Sequence, residues 1–447
     1  TDLVKEGDNF VVVKVDNTRK IDAVPTINTD WWNYGGITRD VFLAAVPKTY
    51  ISDYKIYLGN LNTKEISGYI RLAGSVPGGK EVSFSIPELN LNKTIKSDEN
   101  GLAEFTIRAK KISLWSPENP KLYKVVISKG DEKINDQIGF RTIETRATDI
   151  LLNGESVYLR GICIHEENPL REARAGTIGD ARMLLGWAKD LNANFVRLAH
   201  YPHNEYMTRL ADEMGLLVWS EIPVYWTIDW ENKETYANAE NQLEEMIARD
   251  KNRTSIIIWS VGNETPIKPE RNDFMSNLAK KARSLDDTRL ISAALELHYL
   301  GEEAPNTAIL EDPLAEHLDV MSFNEYIGWY GNTLDEIPEW NIRFKYKKPV
   351  LISELGAGAL GGYHADEDTR WSEEFQEKFY SQQLKMVNKH EQIKGLTPWI
   401  LADFKSPKRL HPKYQDYWNR KGLISSKGQK KAAFEVLKSF YKEKEKQ

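Results

Sequence analysis

Two glutamates in this chain close apolar, β-rich runs: Glu264 ends the segment 256–264 (IIIWSVGNE) and Glu354 ends 350–354 (VLISE). A carboxylate just past a buried strand stands at the mouth of a barrel or the edge of a sheet, within reach of substrate. Two of them suggest acid/base or nucleophilic work on a glycosidic bond, where a pair of Asp or Glu residues flanks the scissile oxygen. For either glutamate alone the plainer reading is a surface acid or an ion-pair partner. The pair, with polar company, shifts the reading toward catalysis. Asn263 precedes Glu264 and can bond a hydroxyl, and Ser353 precedes Glu354.

Further polar residues fall at neighbouring strand ends: His165-Glu166, Arg197, His200-Tyr201-Pro202-His203, Asn324-Glu325-Tyr326 and Trp399. An arginine beside a carboxylate nucleophile favours its ionised form; the plainer role of Arg197 is a barrel-lining ion pair. His200 is the better placed of the two histidines in HYPH to touch a substrate, against a structural, hydrogen-bonded imidazole. Trp399 either stacks beneath a sugar ring or closes the barrel. His165, Glu166 and His200 show no HExxH-type spacing, so neither a catalytic metal nor another cofactor is expected.

The elements that must hold these residues follow from periodicity. Eight candidate strands, 157–164, 193–198, 216–220, 256–261, 289–293, 320–323, 349–353 and 395–400, alternate with helical patterns such as 180–191, 205–214, 237–251, 273–284 and 372–389. That order predicts a (β/α)8 barrel with its site at the C-terminal strand ends. An open doubly wound sheet is the competitor, but no Gly-rich phosphate loop follows the first strand. Residues 50–147 instead alternate apolar and polar over short stretches with turn signals such as Pro77-Gly78-Gly79, which predicts an Ig-sized β-sandwich. Upstream, NFVVVKVDN (9–17) reads as a strand, yet 46 residues of this kind are too few to close a domain.

Composition narrows the class. With 41% hydrophobic and 28% charged residues in 447, the chain is globular and long enough for two or three domains. A net charge of −6 argues against a nucleic-acid partner, and no apolar run is long enough to span a bilayer. No signal peptide opens it, and bacterial periplasm and cytoplasm both fit. The single cysteine, Cys163, cannot form an internal disulfide. Aromatic residues reach 11%, with 13 Trp, which suits stacking on sugar rings as well as a large core.

Taken in order, VRLAHYPH, WSVGNE, FNEYIGWY, ISELG and PWILADF resemble glycoside hydrolase family 2, the family of β-galactosidases, β-glucuronidases and β-mannosidases. The resemblance implies a multidomain chain: the end of a jelly-roll sugar-binding domain (1–46), an Ig-like sandwich (47–148) entered by WSPENPKLY, and a catalytic (β/α)8 TIM barrel (149–447). It makes Glu264 the general acid/base and Glu354 the nucleophile. His200, Asn263, Tyr326 and Trp399 become substrate contacts, with His165 and Arg197 beside them. Asp30 in DWWNY matches the position from which the jelly-roll reaches a sugar hydroxyl. Asn419-Arg420-Lys421 matches the Asn-x-Lys motif that holds the substrate carboxylate in β-glucuronidases of this family; the plainer reading is a solvated basic loop, since Lys405, Lys408, Arg409 and Lys413 lie nearby. A complete jelly-roll needs many more residues, so the chain is expected to be a partial one or to lack that domain.

The activity so implied is retaining, exo-acting hydrolysis of terminal β-linked sugars, β-D-glucuronides ahead of β-galactosides, with the carboxyls about 5 to 5.5 Å apart and Glu264 raised in pKa by Glu354. A catalytically inactive carbohydrate-binding homologue is the reading from another class, and transglycosylation through the same covalent intermediate is a third. The expected partner is a carbohydrate, neither nucleic acid nor membrane, and self-association stays open.

Overall fold

The computed structural model describes residues 3–445. Between residues 49 and 138 the apolar/polar alternation becomes seven antiparallel strands: β1 (Thr49–Asn60), β2 (Glu65–Gly74), β3 (Glu81–Ile86), β4 (Leu91–Lys96), β5 (Leu102–Arg108), β6 (Tyr123–Lys129) and β7 (Glu132–Ile138). They form two sheets, ordered β1-β2-β5 and β4-β3-β6-β7. Successive side chains point to opposite faces, so Ile56, Ile66 and Ile70 of one sheet meet Val82, Phe84, Val125 and Ile127 of the other in one core. Phe84 stacks on Phe105 at 4.6 Å across that layer.

Eight parallel strands then close into a barrel in chain order: β8 (Leu159–Ile164), β9 (Phe195–Leu198), β10 (Leu217–Glu221), β11 (Ile256–Asn263), β12 (Leu290–Leu295), β13 (Met321–Asn324), β14 (Val350–Glu354) and β15 (Ile393–Leu396). All but one residue of these strands, Lys394, is buried, which is why they read as apolar runs rather than alternations. Six helices cover them: α1 (Ile178–Asp190), α2 (Glu205–Met214), α3 (Lys233–Asp250), α4 (Pro269–Leu285), α5 (Glu373–Asn388) and α6 (Ala432–Lys444). Their starts are fixed by side-chain caps. Thr177 and Asp180 form a capping box on α1, and Asn204, Asn232 and Ser372 accept from first-turn backbone amides of α2, α3 and α5. The crossovers after β12 and β13 depart from the (β/α)8 pattern. They consist of short 3-10 turns (Pro313–His317, Leu334–Glu339) and a small three-stranded sheet.

The sandwich sits at the barrel floor. Trp115 is wholly buried there against Leu159, Phe195, Leu217 and Trp219, and its indole donates to the Asp212 carbonyl at 2.8 Å. Lys55 of β1 pairs with Asp286 beneath the barrel at 3.0 Å.

The strand expected at 9–17 does not form, and residues 3–48 contain no strand. A strand needs neighbours for its amides and carbonyls. Here no described residue bonds the backbone of residues 10–15, and Phe10, Val11 and Val12 are 92%, 87% and 93% exposed. Instead the later part of the segment straps the barrel. The Val24 amide donates to Asn238 of α3, Arg39 pairs with Glu166 at 2.9 Å, and Trp31 is buried at the mouth.

Candidate active site

Arg197 is the hub of the mouth. It sits mid-barrel on β9 with no exposed surface, its guanidinium 5.1 Å from the Trp219 ring centroid. It donates to both Glu221 oxygens at 3.0 and 3.1 Å, to Glu354 Oε1 at 2.9 Å, to Asn263 Oδ1 at 2.7 Å and to the Ser353 carbonyl at 3.0 Å. Such a fork holds several acceptors at fixed angles, which a lysine ammonium does not. Burial alone would raise the Glu221 carboxyl, but Arg197 and then His200 hold it down to about 2. It is the permanent anion that balances the arginine.

Glu354 ends β14 where the β13/β14 register shifts, so that Asn324 pairs with Glu354. Bulges of this kind re-aim side chains beside active sites. Oε1 takes the arginine, and Oε2 accepts from the Tyr326 hydroxyl at 2.6 Å. Burial lifts the carboxyl above its usual range; Arg197 opposes that rise, and the charge of Glu264 adds to it. His200, stacked on Trp399 at 4.8 Å, lies 3.7 Å from Glu354 Oε1, with its other nitrogen 2.9 Å from Glu221.

Glu264 follows β11 in left-handed backbone, φ 49°, a conformation uncommon for a residue with a side chain and one found at functional turns. It makes no ion pair with the described residues. The Trp226 indole donates to its Oε2 at 2.8 Å and Asn263 Nδ2 does so at 3.3 Å. Asn263 thus joins the two carboxylates, accepting from the arginine that binds Glu354 and donating to Glu264.

Both glutamates face one cavity of about 380 Å³, together with Asp30, His200, Tyr326, Trp399 and Lys421. Asp30 is reached by a bidentate Arg409, by Ser406 and, at 3.4 Å, by Asn419. Lys421 is 4% exposed. Its ammonium bonds the Tyr330 hydroxyl at 2.8 Å and lies 4.7, 5.1 and 5.5 Å from the ring centroids of Tyr330, Tyr326 and Trp329. No described carboxylate forms a salt bridge with it. Burial lowers its pKa; the Tyr330 hydroxyl falls below its ordinary value because Lys421 and Arg409 outweigh the effect of burial. Gly422 lets this segment lie against residues 402–403, for a Cβ there would fall 2.1 Å from the Asp403 nitrogen.

Not every expected contact reaches the cavity. Arg197, Asn263 and Asn419 stand behind its wall and position the groups that do. His165 packs behind Trp399, 5.1 Å between centroids, with Nδ1 against the Tyr201 hydroxyl and Nε2 unpartnered. Five lining residues were not singled out from sequence: Tyr225, Trp226, Tyr330, Lys408 and Arg409. All lie on loops beyond strand ends, where periodicity carries no signal. Glu221 did leave one, an acid closing the apolar run LLVWSE. Among the described residues no group of three or more His, Cys, Asp and Glu is placed to hold a metal ion.

Residues 143–445 match the family model "Glycosyl hydrolases family 2, TIM barrel domain", and 44–141 match "Glycosyl hydrolases family 2". A provisionally named β-glucuronidase of Formosa agariphila is 29% identical over 492 residues, covering 99% of this chain and 57% of the relative. The β-glucuronidase of Paenibacillus borealis is 28% identical over 445 residues, covering 92% and 70%. This chain therefore spans a little over half the length of the first and about two thirds of the second. Among solved structures, the GH2 β-galacturonidase of Eisenbergiella tayi bound to galacturonate superposes with a TM-score of 0.83 at 28% identity, covering 96% of this chain and 78% of that one.

Proposed function

The chain belongs to glycosyl hydrolase family 2, and from that membership we propose that it removes terminal β-linked uronic acids, β-D-glucuronides foremost, by exo-acting hydrolysis with retention. The observation that carries the sugar assignment is Lys421: a buried ammonium, caged by three aromatic rings and with no described carboxylate in a salt bridge to it. An uncompensated buried charge is costly, and a substrate carboxylate seated there supplies the missing partner. Asp30, by contrast, is already matched by Arg409.

In this reading Glu354, held by Arg197 and Tyr326, attacks the anomeric carbon while Glu264 gives its proton to the departing oxygen. Water then enters, Glu264 takes its proton, and the bond to Glu354 breaks, returning both carboxyls to their starting states. The shared cavity and the influence of the Glu264 charge on Glu354 support two carboxyls acting on one bond. Trp399, stacked with His200 at the cavity surface, offers an aromatic ring to the sugar. We propose with it the division into 1–46, 47–148 and 149–447.

The galacturonate-bound relative favours a second reading, a β-galacturonide, which differs only at one ring carbon and would use the same lysine. Initial rates on p-nitrophenyl β-D-glucuronide, β-D-galacturonide, β-D-galactoside and β-D-mannoside separate these. In Lys421→Ala, kcat/KM on the preferred uronide should fall on the order of 100-fold, the loss expected for a charge-assisted pair in a desolvated site. Rates on the neutral glycosides should move only a few-fold. A wild-type preference for a neutral glycoside, or an equal loss across all four, overturns the assignment.

A further inference from the structure

A second cavity, of about 470 Å³, adjoins the first. It shares Glu264, Tyr326 and Tyr330 with the sugar cavity but none of Glu354, Asp30 or Lys421. The oxygen that leaves must face the acid that protonates it, so whatever that oxygen carries lies on the Glu264 side, beyond the two tyrosines. Resting on the reading above, we infer that this groove receives the leaving group and disfavours negative charge there, so that the natural aglycone is a neutral or cationic group with a flat apolar face.

The lining carries the argument. Leu295, Leu297 and Ile327 form its apolar floor, and the rings of Tyr299 and Tyr330 are 47% and 64% exposed at its rim. Exposed aromatic faces beside a cleft are stacking platforms for aryl groups and for the apolar face of a sugar. Its charge is one-sided. Glu296 stands exposed in the wall, and no Lys, Arg or His lines the groove. Arg271, whose charge is felt at Glu296, is buried and held by both oxygens of Asp312 at 2.7 and 2.8 Å. The sugar cavity differs in holding cations, Lys408, Arg409 and Lys421, beside its carboxylates Asp30, Glu264 and Glu354. An anionic group on the leaving side therefore meets a carboxylate with no cation to offset it.

The test uses three β-D-glucuronides whose leaving phenols differ in charge behind a saturated spacer, one methylene or, in tyramine, two, which keeps their acidities alike: those of 4-hydroxyphenylacetate, 4-hydroxyphenylacetamide and tyramine. Near pH 7.5 the amide should exceed the carboxylate in kcat/KM on the order of tenfold, with tyramine at least equal to the amide. The gap should narrow with rising ionic strength, and Glu296→Gln should shrink the amide-to-carboxylate ratio. A carboxylate turned over as well as the amide by the wild type overturns the inference, as does a ratio unmoved by Glu296→Gln in a variant that melts normally. Should that variant fail to fold, the wild-type series and its salt dependence decide. If p-nitrophenyl β-D-glucuronide is rejected while a neutral glycoside is cleaved, the uronide reading has failed instead, and the same three phenols on the accepted sugar still test the groove.

Discussion

At the floor of the barrel β8, β9, β10, β11 and β12 contribute Leu159, Phe195, Leu217, Ile257 and Leu290 to one apolar core with Trp115; at the mouth, β9, β10 and β14 bring Glu221 and Glu354 onto Arg197. A few residues along each strand separate close-packed hydrocarbon from a buried ion network. The floor gains stability from area removed from water, and the Trp115 indole N–H is satisfied by a carbonyl. The mouth buries an arginine, a histidine and two carboxylates against one another, and leaves Glu354 raised in pKa by burial. Charged groups in such a place stabilise little for the desolvation they suffer, which is the mark of a region shaped for chemistry. A barrel joins the two because strand pairing is indifferent to side chains: the same hydrogen-bond ladder carries both ends.

If that contrast holds, substitutions at the two ends should fail in opposite ways. The largest effect belongs to Glu354→Gln: turnover of the preferred p-nitrophenyl glycoside should drop on the order of 10⁴-fold or more, with the melting temperature within a few degrees of wild type and the free sugar acid still bound by calorimetry. Near-normal rates would remove Glu354 from the nucleophile's role; a collapse in stability with the rate would make the mouth structural. Trp115→Ala should do the reverse, lowering stability in urea by about 3 to 5 kcal/mol, as deletion of a fully buried Trp does, while the molecules still folded keep their kcat. Unchanged stability with lost activity would erase the distinction between floor and mouth.

The same contrast governs what the sequence made legible. All eight barrel strands were, because a strand covered on both faces is an unbroken apolar run that stops where the mouth begins. The two glutamates were legible for the same reason. The expected strand at 9–17 was not sound, because Val11 and Val13 have the right residue types but pairing depends on neighbours that a local pattern does not report. Arg409 was invisible among Lys405, Lys408 and Lys413: only the fold brings it onto Asp30, some 380 residues away in the chain. Trp226 is likewise an ordinary loop aromatic until its indole reaches Glu264. The crossovers after β12 and β13 were promised helices by the barrel pattern, yet Pro305, Pro313, Gly328 and Pro338 punctuate them into short turns.

Glu325 sharpens the comparison within the mouth itself. Glu221 and Glu325 are both buried, to 1% exposure each, but Glu221 has an arginine and Glu325 does not. Its Oε2 accepts from the Ile327 amide at 3.0 Å and from Gln383 at 3.3 Å, while its Oε1 and the Gln383 Oε1 have no partner. Burial pushes the carboxyl up to about 8, against the weaker pull of those two bonds. A proton on it would supply a donor where two acceptors lack one. The folded protein then binds a proton that the unfolded chain gives up near 4.5, so stability falls as pH rises from about 4.5 toward 8 and levels off above. Glu221 runs the other way: its contribution is present above about 4.5 and is lost as pH falls toward 2. Glu325→Gln, a neutral isostere, should therefore flatten the alkaline decline and gain on the order of 2 kcal/mol over wild type at pH 8, with no advantage at pH 4, in urea unfolding at the two pH values. An equal difference at both pH values would mean that Glu325 folds as an anion, and the contrast with Glu221 would then rest on arginine contact alone.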